Sequence, residues 1–277
     1  MSEEDFKLLY NVAKDKLVYH TIQLWEVKNK YNKKRRKQME IPIPLGTGIL
    51  FEIDGYKFIF SCYHVLKEFT PSNLVYIKYG EKFINLSGEV TLLSSIDDGQ
   101  IDLACIKLDQ EIAAYIDAAS DMQYLQIENI GYGATIEENE PIVCNGFPEL
   151  KTTVNQKTLD IKRKGNIFIL PGSKDEYYKH YKLDKDKSYC LDYNGKVEIL
   201  DTGKKGKKID LEGMSGGGIW KVRYKTLLSE KIIDYHLIGI LICYKKKPYY
   251  VLCGSRIEYL INSISKKYNL KIKVGPT

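Results

Sequence analysis

The chain has no uninterrupted apolar run near the roughly 18 residues that a transmembrane helix requires. That absence excludes a helical membrane span. Neither a Cys-x-x-Cys pair nor any other metal-ligand spacing occurs, so no metal or other cofactor is expected. Histidine is scarce, with His20, His64, His180 and His236 the only candidates for imidazole acid–base chemistry near neutral pH. The opening Met1-Ser2-Glu3-Glu4-Asp5 lacks the basic-then-apolar pattern of a signal peptide, so export by that route is not expected. The cysteines Cys62, Cys105, Cys144, Cys190, Cys243 and Cys253 mostly sit in apolar strand-like runs, where a thiol behaves as a small hydrophobe. A reducing, cytoplasmic home is the expectation.

What is present is an ordinary globular composition: 44% hydrophobic, 28% charged and 12% aromatic over 277 residues. That length suits two β units with terminal extensions. The net charge of +6 is clumped, densest at Lys33-Lys34-Arg35-Arg36-Lys37, then at Lys162-Arg163-Lys164 and Lys204-Lys205-Gly206-Lys207-Lys208. Such runs bind nucleic acid or acidic partners when a recognition motif accompanies them. None does here, so a solvated loop between strands is the preferred reading.

Along the chain, Phe6, Leu9, Tyr10 and Ala13 share one side of a helix over about Glu3 to Lys16. Strands are expected at Leu17–Val27, Thr47–Ile53 and Lys57–Cys62, the last two joined through Asp54-Gly55, a strong hairpin signal. Leu74–Tyr79, Phe83–Leu93 and Ile101–Leu108 complete a six-strand unit. An Ala-rich stretch from Gln110 leads to further strands at Pro141–Phe147, Val154–Leu170, Tyr189–Tyr193, Lys196–Leu200, Gly218–Val222, Ile232–Cys243 and Tyr249–Cys253. Asn194-Gly195 marks another hairpin, and Pro171–Lys187 reads as a charged surface insertion. Ile257, Leu260, Ile261 and Ile264 recur at helical spacing, which predicts an amphipathic helix over Ser255–Tyr268. The class is all-β. The expected division is an N-terminal helical extension (1–16), a first β unit (17–110), a linker (111–130), a second β unit (131–254) and a C-terminal helix with tail (255–277).

Three local signatures carry chemistry. His64 follows Ile59-Phe60-Ser61-Cys62-Tyr63, Asp102 precedes the alternating Leu103-Ala104-Cys105-Ile106-Lys107-Leu108, and Ser215 stands in Gly213-Met214-Ser215-Gly216-Gly217-Gly218. A serine nucleophile needs a base, the base an orienting carboxylate, and the oxyanion backbone N–H donors. The order His, Asp, Ser separates this set from α/β-hydrolases and subtilisins. With Gly46-Thr47-Gly48 ahead of an early strand, these residues resemble the trypsin/chymotrypsin-like serine proteases, nearer their bacterial, disulfide-free branch.

The resemblance implies two antiparallel six-stranded β-barrels with the active site between them. It implies a serine endopeptidase acting on protein or peptide substrates, with His64, Asp102 and Ser215 catalytic and the N–H groups of Gly213 and Ser215 as oxyanion hole. The substrate pocket would be lined by Ile240, Leu241, Ile242 and Cys243, with Ile209 at its floor and Asp210 beside it. An Ile209 floor favours an uncharged side chain in the substrate, whereas Asp210 would favour Lys or Arg. Regulated or defence-linked proteolysis inside a bacterial cell is what such relatives suggest. The alternatives are a catalytically silent protein-binding module and nucleic-acid binding through the basic run.

Three positions depart from the secreted members. Val65 replaces a disulfide cysteine after the histidine, and Met214 replaces the Asp that pairs with a freed N-terminus. The oxyanion loop must then assemble unaided or be ordered by a protein partner or ligand. Leu237-Ile238-Gly239-Ile240-Leu241-Ile242-Cys243 also lacks the serine that supports the catalytic Asp, leaving Cys243 or a backbone N–H to substitute.

Overall fold

A computed structural model describes residues 2–32, 37–67, 69, 74–80, 82–95, 99–149, 153–154, 161–162, 165–193, 198–199, 204–205, 211–227 and 230–272. Its order is α1 (Glu3–Asp15), a 3₁₀ turn (Leu17–His20), β1 (Thr21–Asn32), β2 (Lys37–Ile53), β3 (Tyr56–Ser61), α2 (Tyr63–Leu66), β4 (Val75–Tyr79), β5 (Lys82–Asn85), β6 (Gly88–Ser94) and β7 (Asp102–Leu108). Then come α3 (Gln110–Asp117), β8 (Pro141–Gly146), the two-residue β9 (Thr153–Val154) and β10 (Ile161–Lys162), β11 (Asn166–Pro171), α4 (Asp175–Tyr181) and β12 (Ser188–Asp192). Short β13 (Glu198–Ile199) and β14 (Lys204–Lys205) precede β15 (Gly218–Leu227), β16 (Glu230–Lys245), β17 (Val251–Arg256) and α5 (Glu258–Tyr268).

The strands form two main antiparallel sheets, ordered β5-β4-β1-β2-β3-β7-β6 and β11-β8-β15-β16-β17-β12. The first holds seven strands rather than the expected six, because the Phe83–Leu93 run breaks between β5 and β6. Those two edge strands are consecutive in sequence, which bends the sheet back on itself; Leu86 N–H donates to Val75 O (2.8 Å) at the join. The second sheet holds six. An antiparallel bridge from Gly172 to Leu191 draws its edges, β11 and β12, together.

The Asp54-Gly55 turn is where the sequence put it. Both residues have positive φ (49° and 77°), as a type I′ hairpin demands. α1 is capped by Ser2 and Asp5, each side chain accepting from the other's backbone N–H, and buries Leu9, Val12 and Ala13. Leu17–His20 is a 3₁₀ turn rather than strand, so β1 starts at Thr21. Pro171–Lys187 is not wholly surface: α4 within it buries Tyr177 and Tyr178. Ser255 lies in β17, and the last helix starts at Glu258.

Leu24, Leu50, Ile59 and Ile106 on one face of the first sheet and Ile49, Phe51, Phe58 and Phe60 on the other are all fully buried. Each such side chain stabilises the fold by roughly 1.5–3 kcal/mol. Trp220, also fully buried, donates from Nε1 to Asn145 Oδ1 (2.8 Å), while Asn145 Nδ2 donates to Thr21 Oγ1 (2.8 Å). This polar chain ties β15 and β8 of the second sheet to the start of β1. Among the described residues no helix is long and apolar enough to cross a membrane. Lys33–Arg36, Arg163-Lys164, Gly206–Lys208 and Asn194-Gly195 lie outside the described residues.

Candidate active site

His64 stands on α2, a single turn following β3, and Asp102 opens β7, the neighbour of β3. Adjacent strands therefore deliver both side chains to one end of the sheet. His64 Nδ1 lies 2.6 Å from Asp102 Oδ2, and the His64 backbone N–H donates to Asp102 Oδ1 at 3.0 Å. Both carboxylate oxygens are thus engaged. A carboxylate oxygen accepts, so Nδ1 is the donor to Asp102, and in the neutral ring that leaves the lone pair on Nε2. The backbone N–H that supports Asp102 is His64's own.

Ser255, which the sequence reading passed over, sits behind this pair. Its fully buried Oγ accepts from the Asp102 N–H (3.1 Å) and donates to Gln100 O (2.8 Å). No local signal pointed to it, since it comes from β17, far along the chain.

Ser215 is held by backbone. Leu211–Met214 forms a β-turn closed by Met214 N–H to Leu211 O (3.0 Å), with Gly213 at φ +89° in the third position, the type II pattern. The Glu212 carbonyl accepts from Glu149 N–H (2.7 Å). In a trans peptide the N–H points opposite its carbonyl, so the Gly213 N–H faces away from Glu149. Among the described residues, neither the Gly213 nor the Ser215 N–H donates to a protein acceptor. Gly216, also at φ +89°, passes so close to Thr47 that a Cβ would lie 1.9 Å from its carbonyl oxygen.

Thr47 of β2 clamps this loop from the first sheet. Its N–H donates to Ser215 O (2.8 Å), its Oγ1 donates to Gly213 O (2.9 Å) and accepts from Phe147 N–H (3.0 Å), and its carbonyl accepts from Ser61 Oγ (2.7 Å). Beyond the loop, Gly216 N–H donates to Leu241 O and Leu241 N–H to Gly217 O, both at 2.8 Å.

His64, Gly213 and Ser215 line one cleft of about 530 Å³, with Leu241, Ile242 and Cys243 from β16. The Ser215 hydroxyl donates to Ile242 O at 3.3 Å rather than to His64. Met214 is buried under the loop. Of the other pocket residues expected, Ile240 is fully buried in the core away from the cleft, and Ile209 and Asp210 lie outside the described residues. The cleft adds Leu45, Leu211, Glu212, Tyr244, Lys246 and Leu252 to the residues anticipated.

The other histidines are elsewhere. His20 is buried, with Nδ1 2.9 Å from Gln123 O and Nε2 3.2 Å from the Tyr235 hydroxyl, and burial lowers its pKa. His180 packs edge-on against Tyr181 and Tyr249, and His236 lies 3.5 Å from Asp234. Among the described residues, Cys62, His64 and Asp102 alone place three ligand atoms within 4.8 Å of one another. The Cys62 thiol is buried and already donates to Leu241 O (2.9 Å), and the carboxylate is taken by His64, so this group is internally paired.

No family model matches the chain, and no curated protein matches it. A solved structure of the HtrA-type protease AlgW with a decapeptide is similar over 94% of this chain and 67% of that one, at TM-score 0.52 and 12% identity. The fold is the chymotrypsin-like double β-barrel.

Proposed function

We propose that this chain is a serine endopeptidase that hydrolyses peptide bonds through an acyl-enzyme on Ser215. The observation that carries the reading is the 2.6 Å contact from His64 Nδ1 to Asp102, which leaves Nε2 as base in the cleft that also holds Ser215. In this reading the Ser215 side chain turns from Ile242 O to another staggered rotamer and gives its proton to Nε2 as it attacks the substrate carbonyl. Catalytic hydrogen bonds are often made only once substrate is bound. The Gly213 and Ser215 N–H groups receive the oxyanion, His64 then protonates the leaving amine, and water repeats the sequence to release the acid.

The apolar Leu211, Met214, Leu241 and Leu252 along the cleft favour an uncharged substrate side chain before the scissile bond. Profiling with a peptide library tests this, and a preference for Lys or Arg would overturn it. The oxyanion turn closes through its own backbone with Met214 buried beneath it, so we read the site as assembling without N-terminal cleavage. Activity that needs a newly cut N-terminus, seen by mass spectrometry, would overturn that. We place the enzyme in the cytoplasm, in regulated or defence-linked proteolysis.

The Ser215-to-Ile242 bond favours a second reading, a site completed only by an activating protein partner or silent outright. A fluorophosphonate probe separates the two. Labelling of the isolated protein that vanishes in Ser215→Ala supports the enzyme; no labelling of folded protein overturns it.

A further inference from the structure

Three of the six cysteines stand side by side across the second sheet. Cys253 on β17 is directly opposite Cys190 on β12 and directly opposite Cys243 on β16. Opposed residues of antiparallel strands project from the same face, so the three thiols form a row. Cys190 and Cys253 are fully buried, whereas Cys243 is exposed at the cleft that holds Ser215 and His64. The row therefore has one reactive end and one protected end, and the reactive end borders the proposed active site.

We infer that Cys243 and Cys253 are an oxidisable dithiol site, closed to a disulfide by a hydroperoxide that enters through the cleft. Opposed residues place their Cβ atoms about 4.5–5.5 Å apart, and a disulfide needs about 3.5–4.5 Å, so a movement of roughly 1 Å suffices. That movement is available at a bulge, since the β16–β17 register shifts between Leu241 and Cys243. Chemistry agrees with position. A hydrogen bond from Cys253 and the charge of Lys245 hold the Cys243 thiol below the ordinary thiol range, giving it thiolate character. Cys105 and Cys144, remote from the row, are pushed up by burial.

The Cys243 thiolate attacks one peroxide oxygen, the O–O bond breaks, and the departing oxygen takes a proton to leave as water or alcohol. The sulfenic acid left on Cys243 is then attacked by the Cys253 sulfur. An S–S bond forms, the S–O bond breaks, and the hydroxide leaves as water with the Cys253 proton. Two thiols have been oxidised and one peroxide reduced. Because Cys243 is a wall of the cleft, drawing it towards β17 displaces the strand against which a substrate would lie. A misplacement of about 1 Å can cost up to about a hundredfold in rate, so labelling of Ser215 should fall by about tenfold or more.

The test treats the full-length protein with hydrogen peroxide at equimolar amounts, followed by non-reducing peptide mass spectrometry. The expected product links the peptides of Cys243 and Cys253, dithiothreitol reverses it, and Cys243→Ser, at an exposed position, abolishes it. In Cys253→Ser the sulfenic acid should persist and be trapped by dimedone. A disulfide between Cys190 and Cys253, or Cys243 oxidised with Cys253 left as thiol, would overturn the site. The mass readout is independent of the protease reading: if no fluorophosphonate labels the reduced protein, that reading fails while the disulfide still forms. Labelling that is equal before and after closure would overturn the link to the cleft.

Discussion

The two walls of the cleft are built on different physical principles. On the first sheet, the positions of His64 and Asp102 are set around one side chain: the Asp102 carboxylate takes the His64 ring on one oxygen and the His64 backbone N–H on the other, and the Ser255 hydroxyl fixes the Asp102 backbone behind them. On the second, the position of Ser215 is set by main chain, through two positive-φ glycines, a closed turn and carbonyls captured by Thr47 and Glu149. Substitution should therefore act locally on the first wall and through backbone geometry on the second. Side-chain pairing tunes a proton; backbone placement tunes a dipole.

The most damaging test of the first wall is Asp102→Asn. It offers Nδ1 an amide in place of a carboxylate, favouring the wrong tautomer, and should lower turnover of a peptide substrate by about 10⁴-fold with the fold retained by circular dichroism. A loss under tenfold would mean that the carboxylate does not orient the base. On the second wall, Gly213→Ala sets a Cβ 2.8 Å from Phe147 O at a φ that side chains avoid. Fluorophosphonate labelling should fall by about 10²–10³-fold, the cost of one oxyanion donor. The downfield proton resonance of the His64–Asp102 bond should survive, and its loss would show the walls to be coupled rather than separately built.

Thr47→Val tests the clamp between them. It removes the hydroxyl that serves Gly213 O and Phe147 N–H and should lower unfolding stability by about 1–3 kcal/mol in urea titration. Labelling should slow with it; a stable variant labelled at the normal rate would assign the loop's position to the glycines alone. Ser255→Ala strips the acceptor from the part-buried Asp102 N–H and should cost about 1 kcal/mol in the same titration, with a smaller drop in labelling.

Away from both walls, His20 gives the smallest effect. Burial depresses its folded pKa, so below about pH 6.5 the unfolded chain binds a proton that the folded one refuses. That contribution is complete above the ordinary histidine value and is lost as the pH falls. His20→Gln should reduce the fall in urea midpoint between neutral and mildly acid solution, and an unchanged fall would assign it to other groups.

Much of this arrangement was legible because it is local. Asp54-Gly55 fixes a hairpin by its own backbone preference, and the run after Asp102 predicts a strand without reference to any neighbour, although the half-buried strand expected there has Leu103–Ile106 buried on both faces. The glycines flanking Ser215 signal a tight loop for the same reason. The rest depends on partners distant in sequence. Ser255 acquires its place from β17 lying beside the end of β7, and the helical reading of Ser255–Tyr268 misassigned it to a helix because strand and helix meet there without a break. α4 was hidden because its charges, which face outward, mask the buried Tyr177 and Tyr178. The Phe83–Leu93 run carries its own turn signal, Ser87-Gly88, between the end of β5 at Asn85 and the body of β6, and the apolar residues on either side mask it.

Thr47 carries a consequence for how this molecule can be recombined. One residue of the first barrel dictates where two carbonyls of the second barrel's loop must lie. A chimera that joins the first barrel to a foreign second barrel would inherit a base and an orienting acid, yet its nucleophile would be positioned by a stranger. Such a hybrid should fold and still stand idle until the Gly46-Thr47-Gly48 strand and the loop it grips are transplanted together, which makes that pair, rather than either barrel, the smallest unit of exchange.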